Sequence, residues 1–443
     1  MVFFFPFLTR NRKHDDKALK NNNNNSNIAV PNLQPHKITK DNQPNRKMPK
    51  KSDDVVPIVV AEVVEVAEIP CARPKTLLKT GRSVRVLYPQ PSKKKLTDVE
   101  KSTLRKQGYS TGLIQTAIKN NTKHPLRIWI VDNSGSMLTN DGTRILETKI
   151  NDRNVRYVQC TRWRELQDTV EYHARLAALL KAPTVFRLLN DPGQISGPQQ
   201  FSVGERPDFI QEDLESALHT IKTTVPEGAT PLGDHLREIR ENIMEMKDDL
   251  VSIGQKVVVV IATDGRPSDE YGVSSKAAEQ DFVQCLRNLE GLPLWIVIRL
   301  CTDSDDVVEF YNNIDSQLEL SLEVLDDFHG EAEEVYEHNN WLNYALPMHR
   351  VREMGFSNKL YDLLDERALT KDELKEFFCL MFNASQFDAI PDPHDDWKGF
   401  ALRIKRLVDK ETVQYNPVTS KMQPWVDLKC LTRKYSPEKC TIM

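Results

Sequence analysis

The sequence predicts an α/β fold with a doubly wound, mostly parallel sheet, a helical C-terminal region and a disordered N-terminus. Two segments, residues 256–263 and 294–300, are continuously apolar and rich in β-branched residues, as is typical of parallel strands buried on both faces. Apolar residues recur at helical spacing in the segments around them, so strands and helices alternate along the chain. This alternation favours a parallel sheet with right-handed crossover helices.

Residues 1–95 precede the globular part of the chain and are predicted to be disordered or of low complexity. They contain an asparagine run at 21–25 and scattered prolines, so the first part cannot bury enough apolar surface to offset its ordering entropy. Its excess of positive charge indicates either a solvated tail or attraction to an anionic surface. The apolar segment 55–69, with its evenly spaced acidic residues, is unstructured, docks weakly on its own domain, or adds as a strand to the sheet edge of a partner.

The globular elements follow in order. Thr97 and Glu100 form a capping-box pattern, which predicts a helix running towards Arg105. With a second helix over 111–119, it makes a helical lead-in, residues 96–125. The sheet domain is predicted over residues 126–326. Its strands are predicted at 126–131, 184–189, 256–263 and 294–300, and its helices at 162–181, 208–222, 232–250, 274–289 and 305–313.

Beyond residue 326 the pattern becomes mostly helical. Residues 327–425 are predicted to form either a small helical domain or a lid packed on the sheet domain. A tail, residues 426–443, completes the chain. The predicted helices of this region span 331–337, 358–366, 371–382 and 396–409.

Five oxygen-bearing side chains follow strand ends or begin a helix where such a fold binds its ligands, outside the carboxyl ends of the strands. They are Asp132, Ser134, Ser136, Thr230 and Asp264. Two carboxylates and three hydroxyls are hard donors, which Mg²⁺ prefers, and neither thiolate nor imidazole occurs in these loops. The sequence therefore predicts a metal site for Mg²⁺ or Mn²⁺ with at least one position open to solvent or to a ligand.

The pattern Asp132-x-Ser134-x-Ser136, followed by Thr230 and Asp264, resembles the metal-ion-dependent adhesion site of the von Willebrand factor A (vWA) family. The resemblance covers residues 126–326. It implies that the three hydroxyls bind the metal directly and that the two aspartates bind it directly or through water. It also implies that a partner protein offers an Asp or Glu carboxylate to the open position. The flanking motifs at 363–367 and 391–397 resemble uncharacterised eukaryotic proteins built around such a domain.

The sequence departs from the family pattern directly after the serine motif. A helix usually follows there at once, whereas here residues 137–160 intervene, with hairpin-like strands predicted near 144–149 and 155–160. This insertion lies at the metal face of the sheet. It either builds the binding surface or blocks it.

The seven cysteines are widely spaced and form no Cys-x-x-Cys pair, which indicates thiols in a reducing compartment. The last four residues, from Cys440, fit a prenylation motif in which a terminal methionine favours farnesyl. One lipid anchors weakly, so a second signal is expected, either palmitoylation of Cys430 or a basic patch formed by Lys429, Arg433, Lys434 and Lys439. We therefore expect a cytoplasmic protein with a possible membrane tether on the cytosolic face.

A net charge of −4 gives no reason to expect nucleic acid as a partner. The predicted function is a metal-dependent protein-binding module, an intracellular adaptor or scaffold, and not an enzyme. One alternative is a structural subunit with a silent metal site. The other is a Mg²⁺-dependent phosphoryl-transfer or hydrolytic enzyme with Asp132 as nucleophile. That chemistry needs a second acid two residues on, where this chain has Ser134.

Overall fold

The computed structural model of the chain describes residues 96–147, 155–269, 271–302, 304–315, 317–382 and 390–436. The chain divides into two compact units, residues 1–72 and 73–443, and every described residue belongs to the second. The predicted disordered segment 1–95, the tip of the insertion and the C-terminal motif with Cys440 lie outside the described residues.

A six-stranded sheet forms the centre of the described part of the chain, and its strand order is β5-β4-β1-β6-β7-β8. Neighbouring strands run parallel except for β5, which pairs antiparallel with β4 at one edge. The predicted mixed α/β class with a mostly parallel sheet is therefore confirmed. The strands are β1 (Arg127–Val131), β4 (Thr184–Leu188), β5 (Gln200–Val203), β6 (Val257–Thr263), β7 (Leu294–Leu300) and β8 (Leu322–Leu325).

Helices cover both faces of this sheet because successive strand residues point to opposite sides. Ile128 and Ile130 of β1 enter an apolar core shared with α5, α6 and α7. Trp129 and Val131 of the same strand enter a second core, shared with α3 and α4. Both cores are apolar throughout the central strands, which explains the continuous apolar runs in the sequence. The five helices are α3 (Arg162–Leu180), α4 (Ile210–Thr223), α5 (Leu232–Ser252), α6 (Lys276–Arg287) and α7 (Asp305–Asp315).

The helical lead-in and the C-terminal helices pack together around one further apolar core. Leu104 and Leu113 from the lead-in meet Trp341, Phe377 and Phe400 from the C-terminal part there. The segments that precede and follow the sheet domain in the sequence therefore pack against each other. The helices are α1 (Asp98–Lys106), α2 (Thr111–Lys123), α8 (Phe328–Asn339), α9 (Leu346–Glu353), α10 (Lys359–Glu366), α11 (Lys371–Phe382), α12 (Trp397–Val408) and α13 (Leu428–Tyr435).

Two short antiparallel ladders complete the described elements. The insertion forms strands β2 (Gly142–Glu147) and β3 (Val155–Cys160), and the C-terminal region contains β9 (Gln414–Asn416) and β10 (Lys421–Gln423). The hairpin-like character predicted for the insertion is confirmed, although β2 begins two residues earlier than expected.

Several elements differ from the sequence-based expectation. Helix α2 continues to Lys123, and α9 and α13 were not expected as helices. Helix α13 lies within the predicted tail 426–443, where Leu431 is buried in the helical core. Among the described residues, no helix combines the length and the apolar character needed to cross a membrane.

Candidate metal centre

The two predicted carboxylate ligands lie side by side because their strands are neighbours. Asp132 follows β1 and Asp264 follows β6, and these strands pair in parallel with Val131 opposite Ala262. The carboxyl ends of parallel strands meet at one edge of a sheet, so both side chains leave the same edge. Both residues are almost fully buried, with exposed fractions of 0% and 2%.

A continuous chain of hydrogen bonds joins the serine motif to Asp264. The Oγ atoms of Ser134 and Ser136 are 3.0 Å apart, and the Ser136 hydroxyl donates to Oδ1 of Asp264 at 2.8 Å. The backbone N–H of Ser134 donates to Oδ1 of Asp132 at 2.8 Å. Ser136 is exposed while Ser134 is buried, so the group of oxygens opens to solvent at the Ser136 side.

Thr230 belongs to a loop that is bonded directly to the serine motif. The N–H of Glu227 donates to the Asn133 carbonyl at 2.8 Å, and the N–H of Gly135 donates to the Gly228 carbonyl at 3.3 Å. Gly228 has a φ of +89°, and a Cβ there would overlap the Asn190 side chain, so the turn requires glycine. These contacts place the Thr230 loop against the loop that carries Ser134 and Ser136.

The electrostatic environment of the two aspartates favours a cation. Burial and, next, the charge of Asp264 raise the pKa of Asp132 to about 6. Hydrogen bonds from Ser134 and from the Thr263 hydroxyl (2.6 Å) work in the opposite direction without cancelling this. Two crowded, desolvated carboxylates beside neutral hydroxyl oxygens are a donor set that fits a hard divalent cation.

One arginine already lies at this centre. The Nη1 group of Arg162, at the start of α3, donates to Oδ2 of Asp264 at 3.0 Å. Its Nε group donates to Oδ1 of Asp141 at 2.7 Å, so the guanidinium bridges the site and the root of the insertion. The hydrogen bond to Asp141 is the main reason that the pKa of Arg162 is raised, and Asp264 adds to the effect.

The sequence analysis did not find Arg162, nor three further residues that build the site. Asn133 and Asn190 are joined by two hydrogen bonds of 2.8 and 3.0 Å, and the Asn190 side chain also donates to the Ala229 carbonyl at 2.8 Å. These two amides and the Thr263 hydroxyl connect the loops after β1, β4 and β6. The positions of Asn133 and Asn190, each just after a predicted strand, were the available signals in the sequence.

The hairpin of the insertion packs towards the helical region. The Tyr157 ring lies 5.7 Å from both the His329 and the Tyr415 rings, which belong to α8 and β9. On its other side, the N–H of Thr143 donates to Glu165 of α3 at 3.0 Å. The described part of the insertion is therefore anchored on α3, α8 and β9, and Arg162 bridges its Asp141 to Asp264 of the candidate site.

The second predicted lipidation site has a defined environment. Cys430 lies in the first turn of α13, half-buried, with its backbone N–H bonded to Asp427 at 3.0 Å. Burial and the neighbouring Asp427 raise the pKa of its thiol, which lowers the thiolate fraction available for acylation.

The described residues contain one further acidic group, formed by Glu331, Glu334 and Asp365, whose oxygens lie within 4.8 Å of one another. Arg352 forms ion pairs with Glu331 and, at 3.2 Å, with Asp365, so a cation of the protein already compensates this group. It is separate from the residues that the sequence predicted.

Comparisons with known proteins give little further information. No family model matches the sequence, and no curated protein matches it. Among solved structures, the chain is similar to the PilB minor pilin from Streptococcus sanguinis and to a single-residue mutant of that pilin. Both comparisons have 10% identity and cover 55% of this chain and 62% of the pilin chain, with TM-scores of 0.32 and 0.31. A similarity at this level supports no conclusion about the fold or the function of this chain.

Proposed function

We propose that this chain is a metal-dependent protein-binding module with a doubly wound vWA-type domain, acting as a cytoplasmic adaptor or scaffold. It holds its partner through an Asp or Glu carboxylate that a bound Mg²⁺ or Mn²⁺ ion bridges. The observation that carries this proposal is the hydrogen-bonded group of Asp132, Ser134, Ser136 and Asp264 at the carboxyl edge of a parallel sheet. The helices on both sheet faces and the adjoining Thr230 loop support it further.

The charged and the neutral residues of the centre contribute differently to cation binding. Asp132 and Asp264 supply negative charge, and the hydroxyls of Ser134, Ser136 and Thr230 supply neutral oxygens. Because Mg²⁺ binds six oxygens, these side chains leave at least one position for an outside ligand. A dication whose charge is only partly compensated attracts an anion, and a carboxylate on a partner protein matches this requirement.

The surroundings of Asp132 favour binding over catalysis. Phosphoryl transfer through an aspartyl-phosphate needs a second acid two residues after its nucleophile, and that position is Ser134 here. The cation at the site, Arg162, is engaged by Asp141 and Asp264, so it does not stand ready for a phosphate.

Membrane tethering is a separate part of the proposal. It rests on the prenylation motif at Cys440 and on the basic residues near it. Cys440→Ser is expected to move the protein from the membrane to the soluble fraction of a cell lysate. An unchanged distribution would remove the tether from the proposal.

The binding function is tested by affinity purification of the full chain from native lysate, run in parallel with Mg²⁺ and with chelator. Mass spectrometry then compares the partners of the native chain with those of Thr230→Ala. Partners that require Mg²⁺ and are lost in Thr230→Ala support the proposal. An identical set of partners in both buffers would instead favour a structural subunit with a silent metal site.

A further inference from the structure

Large apolar side chains stand exposed on the loops around the metal centre. We call five of them the apolar rim. They are Leu138, Ile195, Val225, Tyr271 and Val273. Among the large hydrophobic residues that the structure describes, Ile195 (90% exposed) and Tyr271 (83%) are the two most exposed, and Val225 (67%) ranks fourth.

Hydrogen bonds and close packing connect the loops that carry the rim. The Ser196 hydroxyl donates to the Thr223 carbonyl at 3.0 Å, which joins the loop of Ile195 to the segment that leads to Val225. Two residues beyond Val225, the N–H of Glu227 donates to Asn133, beside the metal ligands. The rim therefore borders the Thr230 and Ser134 loops on this side.

The other side of the rim is connected in the same way. A Cβ on Gly272 would lie 3.7 Å from the Cβ of Ala229, so the turn with Tyr271 and Val273 rests against the Thr230 loop. Leu138 ends the short 3₁₀ turn that begins at Gly135 and includes Ser136. Polar metal-ligand candidates thus have apolar side chains around them on at least three loops.

Two hydrogen bonds to Asp269 hold the backbone at Tyr271, the most exposed aromatic residue that the structure describes, and at Val273. The side chain of Asp269 accepts the N–H groups of Tyr271 (3.0 Å) and Val273 (2.9 Å). Exposed apolar side chains gathered on loops that adjoin one polar site are typical of an interaction surface.

We propose that the apolar rim and the metal centre together recognise one acidic side chain flanked by apolar side chains on a partner protein. This inference rests on the proposed function. The carboxylate binds at the cation, and its apolar neighbours pack on Ile195, Val225 and Tyr271. Nucleic acid and a small carboxylate such as acetate carry no apolar flank, so the charge at the centre and the apolar rim together favour a protein segment over them. Packing on the rim also excludes water from the bridged carboxylate, which strengthens that contact.

The test selects phage-displayed random dodecapeptides on the full chain in Mg²⁺ buffer and measures their affinities by fluorescence polarisation. The variant Ile195→Ser/Tyr271→Ser removes the two most exposed rim side chains. The matched control is Val99→Ser/Val251→Ser, which removes two exposed apolar residues from α1 and α5, outside these loops. Mn²⁺ affinity is measured for all three proteins to check that the metal centre is intact.

We expect selected peptides with one Asp or Glu between apolar residues, bound in Mg²⁺ and released by chelator. Their affinity falls about tenfold or more in the rim variant, because two apolar contacts are lost, and stays unchanged in the control. Mn²⁺ affinity is the same in all three proteins.

Three results would overturn the inference. Mg²⁺-dependent acidic peptides that bind the rim variant and the native chain equally would leave the proposed function standing and remove the rim from it. A failure to recover any Mg²⁺-dependent peptide would remove both. Self-association of the native chain that the rim variant abolishes would make the rim a contact between copies of this chain and not a partner site.

Discussion

Asp132 is buried without a full countercharge, and its protonation is linked to stability. Its pKa is raised from 3.8 to about 6 by burial and by Asp264, so in the folded protein the carboxyl takes up a proton already below about pH 6 and carries a disfavoured charge at neutral pH. In the metal-free protein, the contribution of Asp132 to the free energy of unfolding is present at low pH and is lost as the pH rises through about 6. A bound cation removes this dependence because it stabilises the charged form.

Asp132→Asn is therefore expected to raise the free energy of unfolding of the metal-free protein at neutral pH by about 2 kcal/mol, since the buried charge is removed. Chemical denaturation in chelator at several pH values measures the effect, which should vanish below pH 4. The exposed Asp248→Asn serves as control and should change nothing. Destabilisation by Asp132→Asn at neutral pH in chelator would contradict this account.

Under the proposed function, Arg162 would compete with the metal ion for Asp264. The guanidinium lies 3.0 Å from Oδ2 of that residue, and a dication at the same carboxylate meets its repulsion. Arg162→Gln should tighten Mn²⁺ binding by roughly tenfold, as a calorimetric titration would show. Arg164→Gln, two residues along α3, is the control. Weaker Mn²⁺ binding in Arg162→Gln would instead make Arg162 a residue that positions the ligands.

At the scale of elements, helices α2 and α11 pack closely at Gly112. A Cβ on Gly112 would overlap the backbone carbonyl of Leu380, which cannot move as a side chain does. Gly112→Ala should lower the free energy of unfolding by about 3 kcal/mol, with thermal denaturation as the measurement. Thr122→Ala, on the exposed face of the same helix, should have little effect. Equal melting temperatures for the two variants would show that the helices separate easily.

The sequence predicts best the elements that bury mainly apolar side chains. Strands β6 and β7 match the expected bounds to within one residue because both of their faces contact apolar cores. Helix α9 was not predicted because it buries Arg352 and Glu353 through ion pairs, so it lacks an apolar stripe. The four-residue edge strand β5 is too short to give a periodic signal.

The candidate site, too, could be predicted from the sequence only in part. The five proposed ligands follow strand ends or begin a helix, and those positions are visible in the sequence. Arg162 is not, because its partner Asp264 lies 102 residues further along the chain. Only the folded sheet brings the start of α3 next to the end of β6.

For the whole molecule, Glu353 links the helical region to the sheet domain. This fully buried carboxylate of α9 accepts Nη1 of Arg350 at 2.7 Å and pairs with Nε2 of His173, in α3, at 3.0 Å. Arg299 of β7 lies 3.6 Å away. Burial opposes the charge of Glu353, but Arg350 and His349 outweigh it, so its pKa is held well below its ordinary value. The stabilisation is present at neutral pH and is lost as the pH falls.

Glu353→Ala is expected to lower the free energy of unfolding by about 3–5 kcal/mol at neutral pH, since it leaves buried cations without a partner. Urea denaturation followed by far-UV circular dichroism measures this loss, which should shrink as the pH falls below about 4. The exposed Glu337→Ala should be neutral. A loss that stays constant down to low pH would mean that packing, not charge, accounts for it.

The central claim is that the chain binds one divalent cation at the carboxyl edge of its sheet. The most direct measurement is a calorimetric titration of Mn²⁺ into the full chain and into the double variant Ser134→Ala/Ser136→Ala. The account predicts one Mn²⁺ ion per native chain, displaced by excess Mg²⁺, and no binding by the double variant. Equal binding by both proteins, or none by the native chain, would contradict it.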